Sequence, residues 1–331
     1  MPHAIRHAAV ACVGILVLGA CADSDPISAT GEYTVLAVDV PLPVRDRMTA
    51  VLPASVSSAD GVGVTVSDVS RIVVLNEALA ELVVSLGFTD AIVGRDATTT
   101  LASLSALPEV SSGHDVSAEA VLSLAPTLVL GDTRTGPPEA LAQLRGARVA
   151  TVLAPEVWTL EDVPFRVRLV AAALGVPAAG EALLGDMQRD IDDALDTVVG
   201  RGADARPRVA FLYVRGTASV YLLGGDGSGA DAMTEAAGGI DVGSEGGLAA
   251  FTPLTSEAVA AAAPDVLLVT TRGLESVGGV DGLLGLPGVA ETRAASRRAV
   301  VAVDDDLLLS FGPRTGAVIR RLAAAFAAAY R

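Results

Sequence analysis

From Arg71 onward, short apolar runs alternate with alanine-rich helical stretches, and this alternation occurs twice, separated by a segment that is helical throughout. In the first block Ile72–Leu75 reads as a buried strand, Glu77–Leu86 as a helix closed by Gly87, and Ala91–Gly94 as a strand. Ala118–Leu124 follows as a helix stopped by Pro126, then Thr127–Leu130 as a strand, and the pattern continues through Leu153. Alternation at this spacing builds βαβ units on a parallel sheet. It restarts at Arg208, with strands over Val209–Tyr213, Val220–Leu223, Val266–Thr270 and Ala299–Val303 and a last helix from Gly316. Between the blocks, Leu160–Val199 is broken only at Gly175-Val176-Pro177. Its second piece, Ala178–Val199, is amphipathic and spans ~30 Å at ~1.5 Å per residue. The predicted fold is therefore α/β, two lobes with central parallel sheets flanked by helices and joined by a long spine helix. The boundaries drawn are 66–160 for the N-terminal lobe, 161–206 for the linking helices and 207–331 for the C-terminal lobe.

A short repeat supports equivalent lobes. Val116-Ser117-Ala118-Glu119-Ala120-Val121 leads to Ala125-Pro126-Thr127-Leu128-Val129-Leu130, and Leu254-Thr255-Ser256-Glu257-Ala258-Val259 leads to Ala263-Pro264-Asp265-Val266-Leu267-Leu268. Each is a hydroxyl N-cap, a helix with Glu in its first turn, a Pro stop and a buried strand.

The first residues carry Arg6, His3 and His7, then the apolar run Ala8–Leu18, too short to span a bilayer that needs ~20 residues. The run ends in Leu18-Gly19-Ala20-Cys21, which matches the lipobox of bacterial lipoproteins, and a polar Ala-Asp-Ser-Asp-Pro stretch follows. Residues 1–20 are read as a signal peptide, Cys21 as the lipidated residue, and 21–65 as a tether and leading segment with room for a hairpin. Cys12 leaves with the signal and Cys21 is acylated, so the mature chain has no disulfide and no cysteine metal site. Two or three acyl chains anchor stably where one holds only marginally. The expected location is the outer face of the cytoplasmic membrane.

Acidic residues outnumber basic ones 39 to 23 and aromatics make up only 3%. An acidic surface repels phosphate backbones, and so few aromatics build no base-stacking platform, which argues against nucleic acid. All the basic residues are arginine, so Schiff-base lysines, lysine bases and a Walker-type P-loop are excluded. Gly225-Asp226-Gly227-Ser228-Gly229-Ala230 is a G-x-G-x-x-A run after a strand, the strongest hint of an enzyme. Its acidic partner ~20 residues on should end a strand, but Glu245 lies in Gly-Ser-Glu-Gly-Gly. Ser228 is no nucleophile elbow, because Asp226 stands where that motif has Gly. The reading is a binding protein, not an enzyme; the loop's amides could instead receive an anionic group of a ligand.

Several stretches resemble haem-transport substrate-binding proteins. They are Ile92-Val93-Gly94-Arg95-Asp96, Leu107-Pro108-Glu109-Val110, Ser117-Ala118-Glu119, Leu122-Ser123-Leu124-Ala125-Pro126 and Trp158-Thr159-Leu160. Further on stand Ala173-Leu174-Gly175-Val176-Pro177, Phe211-Leu212-Tyr213-Val214-Arg215-Gly216, Gly273-Leu274-Glu275-Ser276-Val277-Gly278-Gly279 and Phe311-Gly312-Pro313-Arg314. The likeness runs from about residue 66 to the C-terminus and is greatest to actinobacterial haemin-binding lipoproteins of the HmuT type. It implies a helical-spine receptor that carries ferric haemin to an ABC permease and its ATPase, and that receives it from upstream haem-donor surface proteins. His114, the only histidine after signal removal, sits where such relatives carry an axial ligand. Tyr213 and Arg215 stand two apart on a strand, so their side chains leave one face. A phenol ionises near pH ~10, and a guanidinium beside it favours the anion that binds ferric iron. The resemblance therefore implies His114 and Tyr213 as axial ligands of the haem iron and Arg215 as the group that tunes Tyr213. Gram-negative relatives carry a tyrosine soon after the Gly-Arg-Asp segment; here Ala97-Thr98-Thr99-Thr100-Leu101 has no aromatic. Tyr221 is the reserve ligand. Thr98, Thr99, Gly225, Gly227, Ser228 and Arg272 are the remaining candidate pocket residues, and Glu119 and Glu257 the candidate docking residues for the permease. A siderophore or cobalamin receptor on the same frame is the alternative.

Overall fold

The computed structural model describes residues 27–30, 33–36, 40–112, 115–199 and 206–330. The signal peptide, Cys21 and His114 lie outside the described residues. In the N-terminal lobe four parallel strands stand in the order Ala150–Ala154, Leu128–Asp132, Ile72–Val74, Ile92–Arg95. Continuous apolar strands of this kind suit a sheet covered on both faces. The Gly-Arg-Asp segment is structural: Arg95 is buried, donates to the carbonyls of Leu104 and Thr99, and pairs with Glu109 at 2.7 Å.

The C-terminal sheet is mixed rather than parallel throughout. Its parallel centre is Val300–Val303, Val266–Thr270 and Arg208–Arg215. Val220–Gly224 and Phe251–Pro253 then extend it antiparallel. A short connection explains the first of these pairs, Arg208–Arg215 with Val220–Gly224, because a hairpin joins antiparallel strands whereas a parallel pair needs a crossover. Residues 21–65, expected as a tether and leading segment, contribute two hairpins among the described residues. Ile27–Thr30 pairs with Tyr33–Leu36, which joins Val300–Val303, while Ala54–Ser57 pairs with Gly63–Val66.

The spine helix is Pro177–Val199, about 34 Å at ~1.5 Å per residue. It lies against Val163–Ala173 and the last helix, Thr315–Tyr330. A Cβ at Gly180 would collide with Ala171, and one at Gly316 with Asp190, so glycine lets these helices approach. Arg320 pairs with Asp190 at 2.6 Å across the second contact.

Both repeat units fold alike. Ser117 Oγ accepts from Ala120 N at 3.2 Å and Thr255 Oγ1 from Ala258 N at 3.1 Å. Ala125 and Ala263 each adopt left-handed backbone, φ 47° and 43°, immediately before their prolines.

The lobes meet through a buried ion pair. Glu81, on the helix Glu77–Ser85, has no exposed surface, and Arg314 of the other lobe donates to its Oε1 from Nε at 3.1 Å and from Nη2. Removing one partner of such a pair strands a buried charge. Arg314→Met should therefore lower unfolding free energy by about 3–5 kcal/mol at neutral pH. Burial raises the Glu81 carboxyl above its ordinary value, and Arg314 opposes that rise. Without Arg314, Glu81 binds its proton more tightly in the folded than in the unfolded chain, so the deficit should shrink as pH falls towards 5. Denaturant melts of both proteins across pH 5–8 measure this; a pH-independent deficit would contradict it.

Candidate functional site

The parallel strands of both lobes end at one cleft of about 450 Å³, within the ~300–1,000 Å³ common for small-ligand sites. Such clefts form outside the carboxyl ends of parallel strands because the connecting loops converge there. Asn76 follows the strand Ile72–Val74 and caps the next helix, its Oδ1 accepting from Ala78 N at 2.9 Å. Its amide donates to Asp132, at the end of a neighbouring strand, at 2.9 Å. Trp158, past Ala150–Ala154, donates its indole N–H to Glu156 at 3.1 Å, and the Arg134 guanidinium lies 5.3 Å from its ring centroid.

Tyr213 and Arg215 line the opposite wall, as their spacing predicts. The Arg215 guanidinium sits 4.4 Å from the Tyr213 ring centroid, and Phe251 meets that ring edge-on at 5.6 Å. Arg215 donates to Val214 O at 2.9 Å, to Thr270 Oγ1 at 3.1 Å and to Asp305. Its hydrogen bonds thus go elsewhere than to the phenol, and its influence on Tyr213 is that of a charge held over the ring.

The reserve ligand is misplaced. Tyr221 pairs with Val214 in the ladder and packs with it in the core behind the sheet, whereas its neighbour Leu222 faces the cleft. Period-2 alternation decides this: Tyr221 opposes Val214 and shares its face. The glycine loop is also not a receptor for an anion. Gly227 N already donates to Asp231 at 2.8 Å, Ser228 is fully buried with its Oγ accepting from Asp231 N, and a Cβ at Gly225 would strike the Leu248 carbonyl. These glycines serve packing: a Cβ at Gly229, where φ is +80°, would lie 3.2 Å from Trp158 and 3.1 Å from Phe311. Thr98 lines the cleft, but Thr99 turns inward and is buried, both hydroxyls being bonded to Asp96. Arg272 lines the cleft and pairs with Asp306 at 2.9 Å. Glu119 and Glu257 are exposed in the first turns of their helices.

Sequence reasoning missed the cleft's acids. Glu77 and Asp306 come from opposite lobes, and Thr100 stands between them: its N donates to Glu77 Oε2 at 3.0 Å and its hydroxyl to Glu77 Oε1 at 3.4 Å, with Asp306 also beside that hydroxyl. Burial, then the charges of Glu81 and Asp306, push Glu77 up to about 8. Burial pushes Asp306 up to about 7, against Arg272. Acids after a strand read as ordinary helix caps, and Asp304 does cap here, so sequence offered nothing to separate Asp306. Phe251 and Arg134 carried no pattern either.

Residues 72–307 match the family described as periplasmic binding protein. The chain belongs to that family. A solved haem-binding protein, HmuT, is 34% identical, covering 89% of this chain and 96% of its own, with a TM-score of 0.83. The periplasmic haem-binding protein RhuT of Roseiflexus sp. RS-1, in apo form, is 43% identical over 80% of this chain and 100% of its own, with a TM-score of 0.76. Three variant structures of HmuT replace a tyrosine, an arginine and a histidine by alanine; those residues stand in the same order and at the same spacings as His114, Tyr213 and Arg215 here. Among curated proteins, an uncharacterized ABC transporter substrate-binding lipoprotein of Bacillus subtilis is 25% identical over 81% of this chain and 83% of its own. A cobalamin-binding protein of Halobacterium salinarum is 28% identical over 83% and 74%. The protein is thus a substrate-binding protein of the ABC-transporter class, not an enzyme.

The raised carboxyls set a pH dependence of stability. Glu77 and Asp306 hold protons in the folded chain that they release when unfolded, so this contribution is complete below about pH 4 and is lost as pH rises through about 7 and 8. Ligand-free protein should lose roughly 2–4 kcal/mol between pH 6 and 8 from these two groups. Thermal melts should show the midpoint falling over that interval, and Glu77→Gln should flatten the fall; a rising midpoint would refute the assignment.

Proposed function

We infer that the protein is a lipid-anchored extracytoplasmic receptor that binds ferric haemin in the interlobe cleft and delivers it to an ABC permease served by its ATPase. The observation that carries this reading is Tyr213 in the cleft wall with the Arg215 guanidinium held over its ring. Phenolate is a hard anionic donor suited to ferric iron, and the Arg215 guanidinium 4.4 Å from the Tyr213 ring centroid places a positive charge beside that donor. The donor set fits haem better than a bare ion, because no group of three or more metal-ligating side chains stands together among the described residues. His114 supplies the second axial ligand in this reading. The strands on either side of it, Ser111–Ser112 and Asp115–Val116, pair with each other, and Val116 N donates to Gly136 O at 2.7 Å in the N-terminal lobe. One ligand then comes from each lobe. The spacings shared with the replaced residues of HmuT support the same trio. Haem-donor surface proteins supply the cargo, and Cys21 holds the receptor at the outer face of the cytoplasmic membrane.

A cobalamin receptor is the second reading, favoured by the Halobacterium salinarum relative. Absorption titration separates them. Haemin should bind with a shifted Soret band and a phenolate-to-iron charge-transfer component. Tyr213→Ala should remove that component and weaken binding, while Arg215→Ala should weaken it by roughly 10–100-fold. Tyr221→Phe, on the far face of the sheet, should change neither band nor affinity. Cyanocobalamin binding without haemin binding would overturn the haem reading, as would a wild-type spectrum in Tyr213→Ala.

Glu119 and Glu257 are the proposed docking contacts, one per lobe, for arginines on the two permease subunits. Their position in first helical turns also suits the helix dipole, a contribution of only ~0.3–1 kcal/mol each. Glu119→Arg with Glu257→Arg should abolish haem delivery to cells and leave haemin titrations unchanged; normal uptake would remove the docking role.

A further inference from the structure

The cleft is crowded with charge that is already satisfied. Arg215 pairs with Asp305, Arg272 with Asp306, and Arg134 lies 3.7 Å from Glu156 and 3.9 Å from Asp132. Haem brings two propionates, both anionic at neutral pH, into this setting. A propionate gains a full ion pair with a paired arginine only by displacing a carboxylate, and the displaced carboxylate must then stay buried without its partner. That is expensive unless the group can become neutral.

One pair meets the requirement. The Arg272 side chain is 47% exposed and can be reached from the cleft mouth, whereas Asp306 is only 9% exposed. Arg272 holds Asp306 through Nη2 alone, while Arg215 is also tied to Val214 O and Thr270. The groups facing Asp306 are Arg272 from the helix Thr271–Ser276, Asp304 and Asp305 from its own turn, and Glu77 and Thr100 from the other lobe. Every charged one except Arg272 is acidic. Burial already places the Asp306 carboxyl at about 7, with Arg272 the strongest influence keeping it ionised. With that cation turned to another anion, the remaining neighbours all favour the neutral acid. The Thr100 hydroxyl, which donates to Glu77 Oε1 at 3.4 Å, keeps lone pairs that can accept from the protonated Asp306 beside it.

Building on the haem reading, we propose that one haem propionate replaces the Asp306 carboxylate on Arg272, and that Asp306 takes up a proton from solvent as it is displaced. The Arg272–Asp306 ion pair breaks, the Arg272–propionate pair forms, and one proton is bound, so charge and atoms balance. Asp306 thereby acts as a built-in stand-in for the propionate in the empty cleft. It keeps Arg272 paired until a diacid arrives, and it makes release easier wherever the pH is higher.

The test is calorimetric titration with haemin at pH 8 in two buffers of different ionisation heat, which counts protons per ligand bound. Any proton lost from Tyr213 is common to wild type and Asp306→Asn, so the difference between them isolates Asp306. Wild type should take up close to one proton more than Asp306→Asn, because a group near 7 is about nine-tenths ionised at pH 8. Wild-type affinity should fall up to about tenfold per pH unit above 7 relative to the variant, whose arginine has no competing charge. Arg272→Gln, an exposed change that folding tolerates, should abolish the extra proton and weaken haemin about tenfold while leaving haemin dimethyl ester unaffected. Equal proton counts in wild type and Asp306→Asn, or equal loss for haemin and its dimethyl ester in Arg272→Gln, would overturn the proposal. Failure of wild type to bind haemin at all by absorption would instead overturn the haem reading beneath it.

Discussion

Glu81 is wholly buried on the helix that opens the N-terminal lobe, and the guanidinium that meets it arrives from Arg314, at the start of the last helix. No chain would keep a carboxylate there without this partner, so the contact fixes which surfaces of the two lobes face each other. The local backbone is arranged around it. Phe311 adopts a left-handed φ of 48°, and Gly312 follows where any Cβ would overlap the Glu81 carboxylate. Arg166 adds a second link by donating to the Ser310 carbonyl at 2.7 Å. These ties lie directly beneath the cleft, and one turn above them stands Glu77, 3.6 Å from the same Arg314. The cleft floor is therefore an extension of the interlobe contact in charge as well as in space. A change in the protonation of Glu77 or Asp306 is felt where the lobes are joined.

The architecture was legible because it rests on signals that are local and redundant. Caps such as Ser117 and Thr255, prolines after left-handed alanines, and uninterrupted apolar strands all agree at each element. The two-residue spacing of Tyr213 and Arg215 was equally readable, since alternation along a strand is geometric. What failed has one cause. Tyr221 and the glycine run were judged by residue type, whereas their positions are decided by a partner strand and by the helix start that fills the loop. Asp306, Glu77 and Phe251 become interesting only when two lobes bring them together, and no periodicity records that encounter. Sheet direction in the C-terminal lobe likewise depends on pairing between distant strands rather than on the strands themselves.

On the haem reading, charge explains how an acidic protein would carry an acidic ligand. The chain has a net charge of −16, yet four arginines line the cleft. Left unpaired, they would attract any small anion and would repel one another across a narrow space. Pairing each with a carboxylate, or with backbone carbonyls in the case of Arg166, removes both problems at the cost of making the ligand compete for its own contacts. Such competition penalises anions that offer charge alone. A ligand that also fills the apolar wall of Trp158, Phe251 and Leu309 and offers iron to Tyr213 recovers the cost elsewhere. Selectivity then comes from the coincidence of three chemistries rather than from the strength of one.

On the haem reading, the same ion pairs bear on how the receptor would give up its cargo. With one proposed ligand from each lobe, separating the lobes would break coordination, and no new contact to the cargo would be required. A permease gripping both lobes would supply that separation through the proposed contacts at Glu119 and Glu257. Once the iron lost one axial donor, the Asp306 carboxyl displaced in the proposed swap would reclaim Arg272. It would do so by giving up its proton, whereas Asp305 already holds Arg215. The internal ion pairs thus lower the energy of the empty cleft relative to one with bare cations, so the step after opening runs downhill. On this proposal affinity is sacrificed to make release possible, and Asp306 is the group that does it.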